Sequence, residues 1–435
     1  MTGHKRFDIR ILIKYNPEIK GVRALKSYFY AVIIVLLLTP GAFALSWQDT
    51  LATANTRSNS IKSAEKQSEA SRWSWVRSYG NFLPQFSGTA SISQTYTASN
   101  AASPQMYSYG LNATQNLFTG FGNYFNLQSA FVQYESDQAN LNKARSDSYY
   151  NCRLAFINLL IAQENLKLQN QILERRRQNE RMIRLNYEGG KEDKGNLMQN
   201  EAYLADAEYS VSSAKRQLRL AQANLAQLLD ESIDQIDQVE GDLTATVPST
   251  PEYSSLAVGT PSYQIAKYQL EQAEIGNSST VSGFLPDISL QGSYRKTGLN
   301  WPPDSENKSL SLNLSYNFFP GGTNLADIAV NGSKLDKARQ DFAQSSKSIR
   351  YGIEEAYENL KDAVESLKVK KLYLEAAKER EKIAQVEYLN GLMNYTNWDL
   401  IESQYISAQQ TLINAQRSAL QNEAAWQNSY GGWVK

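Results

Sequence analysis

The 435-residue chain balances 44 basic against 44 acidic side chains, yet seven of the bases (positions 5, 6, 10, 14, 20, 23 and 26) and two of the acids (8 and 18) fall in the first 44 residues. The remainder holds 37 bases and 42 acids, a weakly acidic body without the concentrated basic face that phosphate binding needs, so nucleic acid is excluded as a partner. With one histidine, His4, and one cysteine, Cys152, the mature chain has no Ser/His triad, Cys/His dyad or histidine-ligated zinc; neither an enzyme nor a metal or cofactor site is expected.

Residues 1–44 read as an export signal. Lys20, Arg23 and Lys26 precede an apolar run over 31–38, then the breakers Thr39, Pro40 and Gly41, and then the small-x-small triplet Ala42, Phe43, Ala44. The run is too short for a permanent membrane span, and no cysteine follows it to carry a lipid anchor. The basic leader is long enough that the true start codon could lie inside it.

Residues 45–230 form a first repeat. A helix over 47–82 ends at Phe82, Leu83 and Pro84. The period then changes from helical to two. Phe86, Gly88, Ala90 and Ile92 alternate with polar residues over 84–96, and Tyr107, Tyr109, Leu111 and Ala113 do so over 106–118. Gly120, Phe121 and Gly122 close the second strand; the third glycine and the βαβ context of a nucleotide loop are missing. A proline-free stretch over 126–230 follows. Its long helix, 126–187, would reach about 93 Å at about 1.5 Å per residue. A glycine tip over 188–196 leads to a helix over 197–230, where Leu197, Leu204, Val211, Leu218 and Leu225 recur every seven residues. Their seam partners are Ala207, Ala214, Ala221 and Leu228, with Asn200 as the exception. Cys152 reads as a packed small side chain, and Arg175, Arg176 and Arg177 as a solvated helix face.

A mixed linker over 231–260 separates this from a second repeat over 261–435. Phe82, Leu83 and Pro84 recur as Phe284, Leu285 and Pro286, and an offset of 201 links Phe118 with Phe319, Tyr187 with Tyr388, Gly190 with Gly391 and Ala214 with Ala415. The second copy supplies strands over 286–297 and 308–319, a long helix over 327–388, a tip over 389–397 and a helix over 398–429. Two seven-residue series on this long helix, one through Phe342 and Ile349 and one through Ile353 and Leu360, suit a helix with two neighbours.

Four strands of about ten residues, each with one apolar and one polar face, have the length and pattern of outer-membrane barrel strands. Four cannot close a barrel, and open edges are not tolerated in lipid, so several copies must pool them. The competing reading is a periplasmic coiled-coil adaptor or structural protein without a pore, its strands a soluble sheet with one wet face.

The leader and the duplicated order of helix, Leu-Pro, two strands, glycine, long helix, Tyr-x-x-Gly and helix resemble the TolC-type outer-membrane efflux and secretion channels, over nearly the whole chain after residue 44. The resemblance implies a homotrimer whose twelve strands form one barrel in outer-membrane lipid, continued by a periplasmic α-helical barrel. It implies a passive channel-tunnel serving a tripartite efflux pump or type I secretion system. Its partners would be a periplasmic adaptor and an inner-membrane pump or ABC transporter. It also implies a periplasmic gate where the tips converge, held by polar contacts and an aspartate ring. The matching stretches are 189–200 and 390–402, with tip turns at Gly189, Gly190 and Gly391 and gate candidates Asn196, Asn397, Asp399 and Glu402. The sequence departs from the pattern here: Met393 stands where an arginine is expected, and Asn397 and Leu400 take the aspartate-ring positions. Asp399 and Glu402 are left to supply a negative ring. The plainer alternative is that Asn196 and Asn397 cap their helices and the acids favour the N-terminal turns.

Overall fold

The structure, a computed structural model, describes residues 45–96 and 103–433, so the export signal expected over 1–44 lies outside the described residues. The first copy comprises α1 (Trp47–Arg57), α2 (Asn59–Ser78), a 3-10 turn (Tyr79–Phe82), β1 (Gln85–Ser93), β2 (Met106–Thr119), α3 (Gly122–Glu188) and α4 (Lys194–Leu229). A connection with a 3-10 turn (Ile233–Gln235) and a short helix α5 (Tyr253–Val258) follows. The second copy repeats the order as α6 (Pro261–Ser279), a 3-10 turn (Thr280–Phe284), β3 (Asp287–Gly298), β4 (Ser305–Ser315), α7 (Thr323–Leu389) and α8 (Tyr395–Ser429). The fold is a duplicated helix–strand–strand–long helix–helix unit. Both long helices have 67 residues, about 100 Å at about 1.5 Å per residue.

Local chemistry explains where the elements start and stop. The helix expected over 47–82 is interrupted at Ser58, which leaves helical geometry (φ −53°, ψ 119°) and shares a buried hydroxyl hydrogen bond with Ser148 at 2.9 Å. Ser46 caps α1 through a reciprocal pair with Asp49, and Thr260 caps α6 with Pro261 in its first turn. The long helices begin at 122 and 323, earlier than the expected 126 and 327, because the preceding turns are complete within two left-handed residues. In copy two these are Gly321 and Gly322, and in copy one Gly120 and Phe121. A side chain at Gly120 would meet the Ser282 carbonyl oxygen at 2.7 Å. Phe121 adopts the left-handed conformation at a cost of about 1–2 kcal/mol, its ring edge-on to Phe118 at 5.2 Å.

The strands form one antiparallel sheet in the order β1-β2-β3-β4. Its register aligns Phe86, Ala113, Gly292 and Leu310 in one row, and Gly88, Leu111, Tyr294 and Lys308 in the next. The apolar side chains share a face that nothing among the described residues covers: Leu310 is 77% exposed, and Phe86, Leu111, Leu312 and Leu314 are exposed with it. Among the described residues β1 and β4 each pair on one side only, leaving two open edges. The fourth strand spans 305–315 where alternation suggested 308–319. Its ladder ends at Ser315 opposite Asp287, the first strand residue after Pro286, and proline has no N–H to extend it. Tyr316, Phe318 and Phe319 lie beyond the ladder and stay exposed. No helix among the described residues is long and apolar enough to cross a membrane.

The helices pack as two antiparallel hairpins, α3 with α4 and α7 with α8, joined along α3 and α8, with α2 and α6 beside the long helices. The seam residues Leu197, Val211 and Leu225 are buried, as are Ala207 and Ala214. Ala207 and Val211 meet Leu168, Ile172 and Leu173 of α3. The largest cluster gathers Ala54, Ile61, Cys152, Phe156, Leu159, Leu225, Leu229, Ile236 and Val239, so α1, α2, α3, α4 and the connection share one core. The connection is tied down further by a bridge in which Leu45 N–H donates to the Gln238 carbonyl at 2.9 Å. Phe156 is 1% exposed and touches Trp47 edge-on at 5.8 Å. Phe156→Ala should therefore lower unfolding free energy by about 3–5 kcal/mol, against under about 0.5 kcal/mol for the exposed Lys62→Ala, read by denaturant titration of the helical signal.

Candidate functional site at the helix tips

The two tips share one backbone solution. At the first, Gly190 N–H donates to the Tyr187 carbonyl at 3.0 Å and Lys191 N–H to Asn186 at 2.7 Å. At the second, Gly391 N–H donates to Tyr388 at 3.0 Å and Leu392 N–H to Glu387 at 2.8 Å. Gly190 and Gly391 hold φ of +70° and +73°, the left-handed region that favours glycine. Gly189 does not: its φ is −81°, and Asn390 takes its place in the second copy.

The helices leaving the tips are capped by Asp193 and Asn394. The Asp193 carboxylate accepts from Asn196 N–H at 2.8 Å, and the Asn394 side chain accepts from Asn397 N–H at 2.9 Å. Asn196 and Asn397 are therefore capped residues in the first turn; they are not the caps themselves. The Asn196 side chain donates to Glu192 at 2.9 Å, while Asn397 is exposed beside exposed Leu400.

Asp399 and Glu402 point the other way, between the hairpins. Glu402 is 1% exposed, and no face of it is open to supply a negative ring. Its carboxylate accepts from Arg176 of α3 at 2.8 Å and from the Asn179 amide at 2.6 and 2.7 Å, with Arg175 at 3.9 Å. Arg175 pairs with Glu381 of α7. Asp399 sits 3.5 Å from Arg176 and accepts from the Tyr203 hydroxyl of α4 at 3.2 Å. The guanidiniums lie over aromatic faces, Arg176 over Tyr203 at 4.6 Å and Arg175 over Tyr405 at 5.1 Å. Arg175 and Arg176, which in sequence look like a solvated face, are half-buried and buried.

Toward the tips the clasp becomes aromatic. Tyr388 and Trp398 stack at 4.7 Å with their planes 4° apart, and Tyr395 packs edge-on against both. Tyr388 donates its hydroxyl proton to Glu192 at 2.8 Å, and the Asn200 amide donates to the Tyr395 hydroxyl at 2.7 Å. Asn200, the polar exception in the heptads, thus crosslinks α4 to α8. Burial holds both phenols well above their ordinary range, helped at Tyr388 by the bond to Glu192 and at Tyr395 by the charge of Asp399. They remain protonated at any physiological pH. Burial also pushes the Glu402 carboxyl upward, more strongly than Arg176, Asn179 and Arg175 pull it down, and Glu381 adds to the rise. Two guanidiniums here face three carboxylates, Glu381, Asp399 and Glu402.

The arrangement is a polar and aromatic latch joining one hairpin to the other, within reach of both tips. Sequence inspection found its acids but not its bases or its direction. One usable signal was height: Arg176 lies 14 residues before Gly190 and Glu402 lies 11 after Gly391, so both sit roughly 16–21 Å from their tips.

The fold is similar to solved outer-membrane channels. The Campylobacter jejuni CmeC outer membrane channel aligns at 18% identity with a TM-score of 0.79, covering 89% of this chain and 85% of that one. The open-state MtrE outer membrane channel of Neisseria gonorrhoeae aligns at 20% identity and TM-score 0.76, covering 89% of each chain. The outer membrane protein VceC of Vibrio cholerae aligns at 16% identity and TM-score 0.76, covering 88% and 96%. No curated protein sequence matches the chain. The model of the family "Outer membrane efflux protein" matches residues 50–231 and 253–432, one segment for each structural copy. By that match across both halves, the chain belongs to the outer membrane efflux protein family.

Proposed function

We propose that the chain is one protomer of a passive, homotrimeric channel-tunnel that exports small molecules or proteins across the periplasm and the outer membrane. An inner-membrane pump or ABC transporter supplies the cargo through a periplasmic adaptor, in a tripartite efflux or type I secretion system. The observation that carries this is the sheet: four antiparallel strands with an exposed apolar face and two unpaired edges, continued at one end by 67-residue helices. Three copies supply twelve strands and close the edges. A pore-free adaptor would leave Leu310, Leu312, Leu314 and Phe86 in water without purpose. Purified protein should migrate as a heat-dissociable trimer and give single-channel steps in a planar bilayer. Monomeric protein without conductance would sink the proposal.

Within that tunnel, the latch of Arg176, Glu402, Asp399 and Asn179, together with Asn196 and Asn397 in the first turns beyond the tips, forms the periplasmic gate. Arg176 and Glu402 hold the hairpins together in the closed form, and opening separates them. Leaving one partner of a buried pair uncompensated costs about 3–5 kcal/mol. Arg176→Ala strips one of two guanidiniums from three carboxylates, whereas Glu402→Gln removes the excess negative charge and keeps an amide for Asn179. Open probability should therefore rise strongly in Arg176→Ala and stay level or fall in Glu402→Gln; equal single-channel records for the two variants would refute the latch.

The sign of the pH response follows from Glu402. Its carboxyl is raised in the buried, closed form above the ordinary 4.5 it regains in water, so the closed form binds the proton more tightly. Closure is favoured as pH falls from neutral through the raised value, and the gain is complete below 4.5. Wild-type open probability should decline over that window, and Glu402→Gln should flatten the decline.

A further inference from the structure

Charge is distributed over the sheet in a way the gate does not use. β1 and β2 contain no charged residue, while β3 and β4 contain Asp287, Arg295, Lys296, Glu306 and Lys308. Three of these lie on the apolar face. Lys296 stands opposite Glu306, Lys308 opposite Tyr294, and Lys308 is ion-paired with Glu306. The polar face is left with two charges. Asp287 begins β3 at the helix end, and Arg295 follows eight residues later, about 27 Å along the strand at about 3.4 Å per residue.

Arg295 lies in a row with Thr89, Gly110 and Asn307. The flanking rows are Ser91, Ser108, Thr297 and Ser305 on the loop side, and Ser87, Asn112, Ser293 and Ser309 on the helix side. Two pairs of these hydroxyls bond each other across strands, Ser91 with Ser108 at 2.8 Å and Ser293 with Ser309 at 2.7 Å. None of the rows holds a carboxylate. Gly110 keeps the wall bare beside the arginine, since a side chain there would meet the Tyr294 carbonyl at 2.6 Å and the Arg295 β-carbon at 3.3 Å. Arg295 is exposed and, among the described residues, in no ion pair. The nearby loop acid, Asp304, falls on the side of Gly298, in step with the apolar face.

We propose that Arg295, repeated once per protomer on the lumen wall near the loop end of the barrel, sets the charge preference of the outer mouth and favours anionic solutes. The inference rests on the trimeric channel proposed above. Rings of charged side chains are a general means of pore selectivity, and basic rings favour anions. Twelve strands about 4.8 Å apart and tilted by about 40° enclose a radius of about 12 Å. The Debye length is about 10 Å at 0.1 M salt but about 3 Å at 1 M. The three guanidiniums therefore reach most of the cross-section in dilute salt and little of it in concentrated salt. A neutral wall of hydroxyls and amides elsewhere leaves no competing charge at that level.

Reversal potentials across planar bilayers in KCl gradients test this. At about 0.1 M salt, Arg295→Ser should raise the ratio of K⁺ to Cl⁻ permeability about threefold or more, and the difference should vanish near 1 M. Arg295→Lys should keep the wild-type ratio. If Arg295→Ser fails to insert, Asn307→Asp places a carboxylate beside the arginine without removing it and should shift the ratio the same way. A conducting wild type whose ratio is unchanged in Arg295→Ser or Asn307→Asp overturns this inference alone. A wild type that never conducts overturns the channel, and the inference with it.

Discussion

An antiparallel strand in hydrocarbon must have both of its hydrogen-bonding edges satisfied, and this protomer leaves two edges open. Each unpaired N–H or C=O buried in lipid costs several kcal/mol, more than any local packing around it can offset. The sheet with its uncovered leucines is therefore a fragment of something larger. The helices inherit the same constraint. Each strand hands over to a helix at one end of the sheet, either through a 3-10 turn (Tyr79–Phe82, Thr280–Phe284) or through a pair of left-handed residues (Gly120 with Phe121, Gly321 with Gly322). Four transitions at the same end carry every chain segment away from the sheet together. A protein that pools its strands must then also pool its helices.

Duplication gave the two copies equal helix lengths and equal tip turns, but it did not preserve the chemistry of the tips. At the offset of 201, Arg176 corresponds to Ala377, Asn179 to Arg380, Trp398 to Leu197, Tyr395 to Lys194 and Asp399 to Met198. Glu402 has a counterpart in Glu201, which is exposed and pairs with Arg184 of its own hairpin. The guanidiniums and amides of the latch have thus collected on the first hairpin, and Glu381, Asp399, Glu402 and the aromatics Tyr388, Tyr395 and Trp398 on the second. Only a hairpin of one copy meeting a hairpin of the other completes the contacts; two like hairpins would set guanidinium against guanidinium or carboxylate against carboxylate. The divergence fixes which neighbours belong together, at the expense of burying three carboxylates around two guanidiniums.

The fold was legible because its signals are periodic and occur twice. A change from helical period to period two at Pro84 and again at Pro286, and one offset running from Phe118 to Ala214, constrain the architecture more than any single motif. Boundaries were less legible where the deciding event was not hydrophobic. Tyr316 and Phe318 continue the alternation of β4 although Pro286 ends the ladder that would hold them. Ser58 breaks a helix through one buried hydroxyl pair. The latch was the least legible part. Hydropathy assigns Arg175, Arg176, Asp399 and Glu402 to water, and only their shared height above the tips and their opposite charges mark them as partners. Asn200 was visible as an irregularity in the heptads, but its partner Tyr395 lies 195 positions away, beyond the reach of local pattern.

A conduit that must release what it carries gains from weak walls. The polar face of the sheet is built mainly from Ser, Thr, Asn and Gln, and some of its hydroxyls are already paired across strands, Ser91 with Ser108 and Ser293 with Ser309. A passing solute that displaces such a bond gains little, because the exchange of one hydrogen bond for another is nearly neutral. Charge, by contrast, acts at a distance and needs no contact, so a few charged groups can sort solutes without holding them. In this protomer the charges that face neither lipid nor another protein group are sparse along the polar face, whereas Arg176, Glu381 and Glu402 of the latch are buried and spent on contacts between the hairpins. Strong interactions are thus kept for the contact between the two hairpins, and weak ones for the polar face of the sheet.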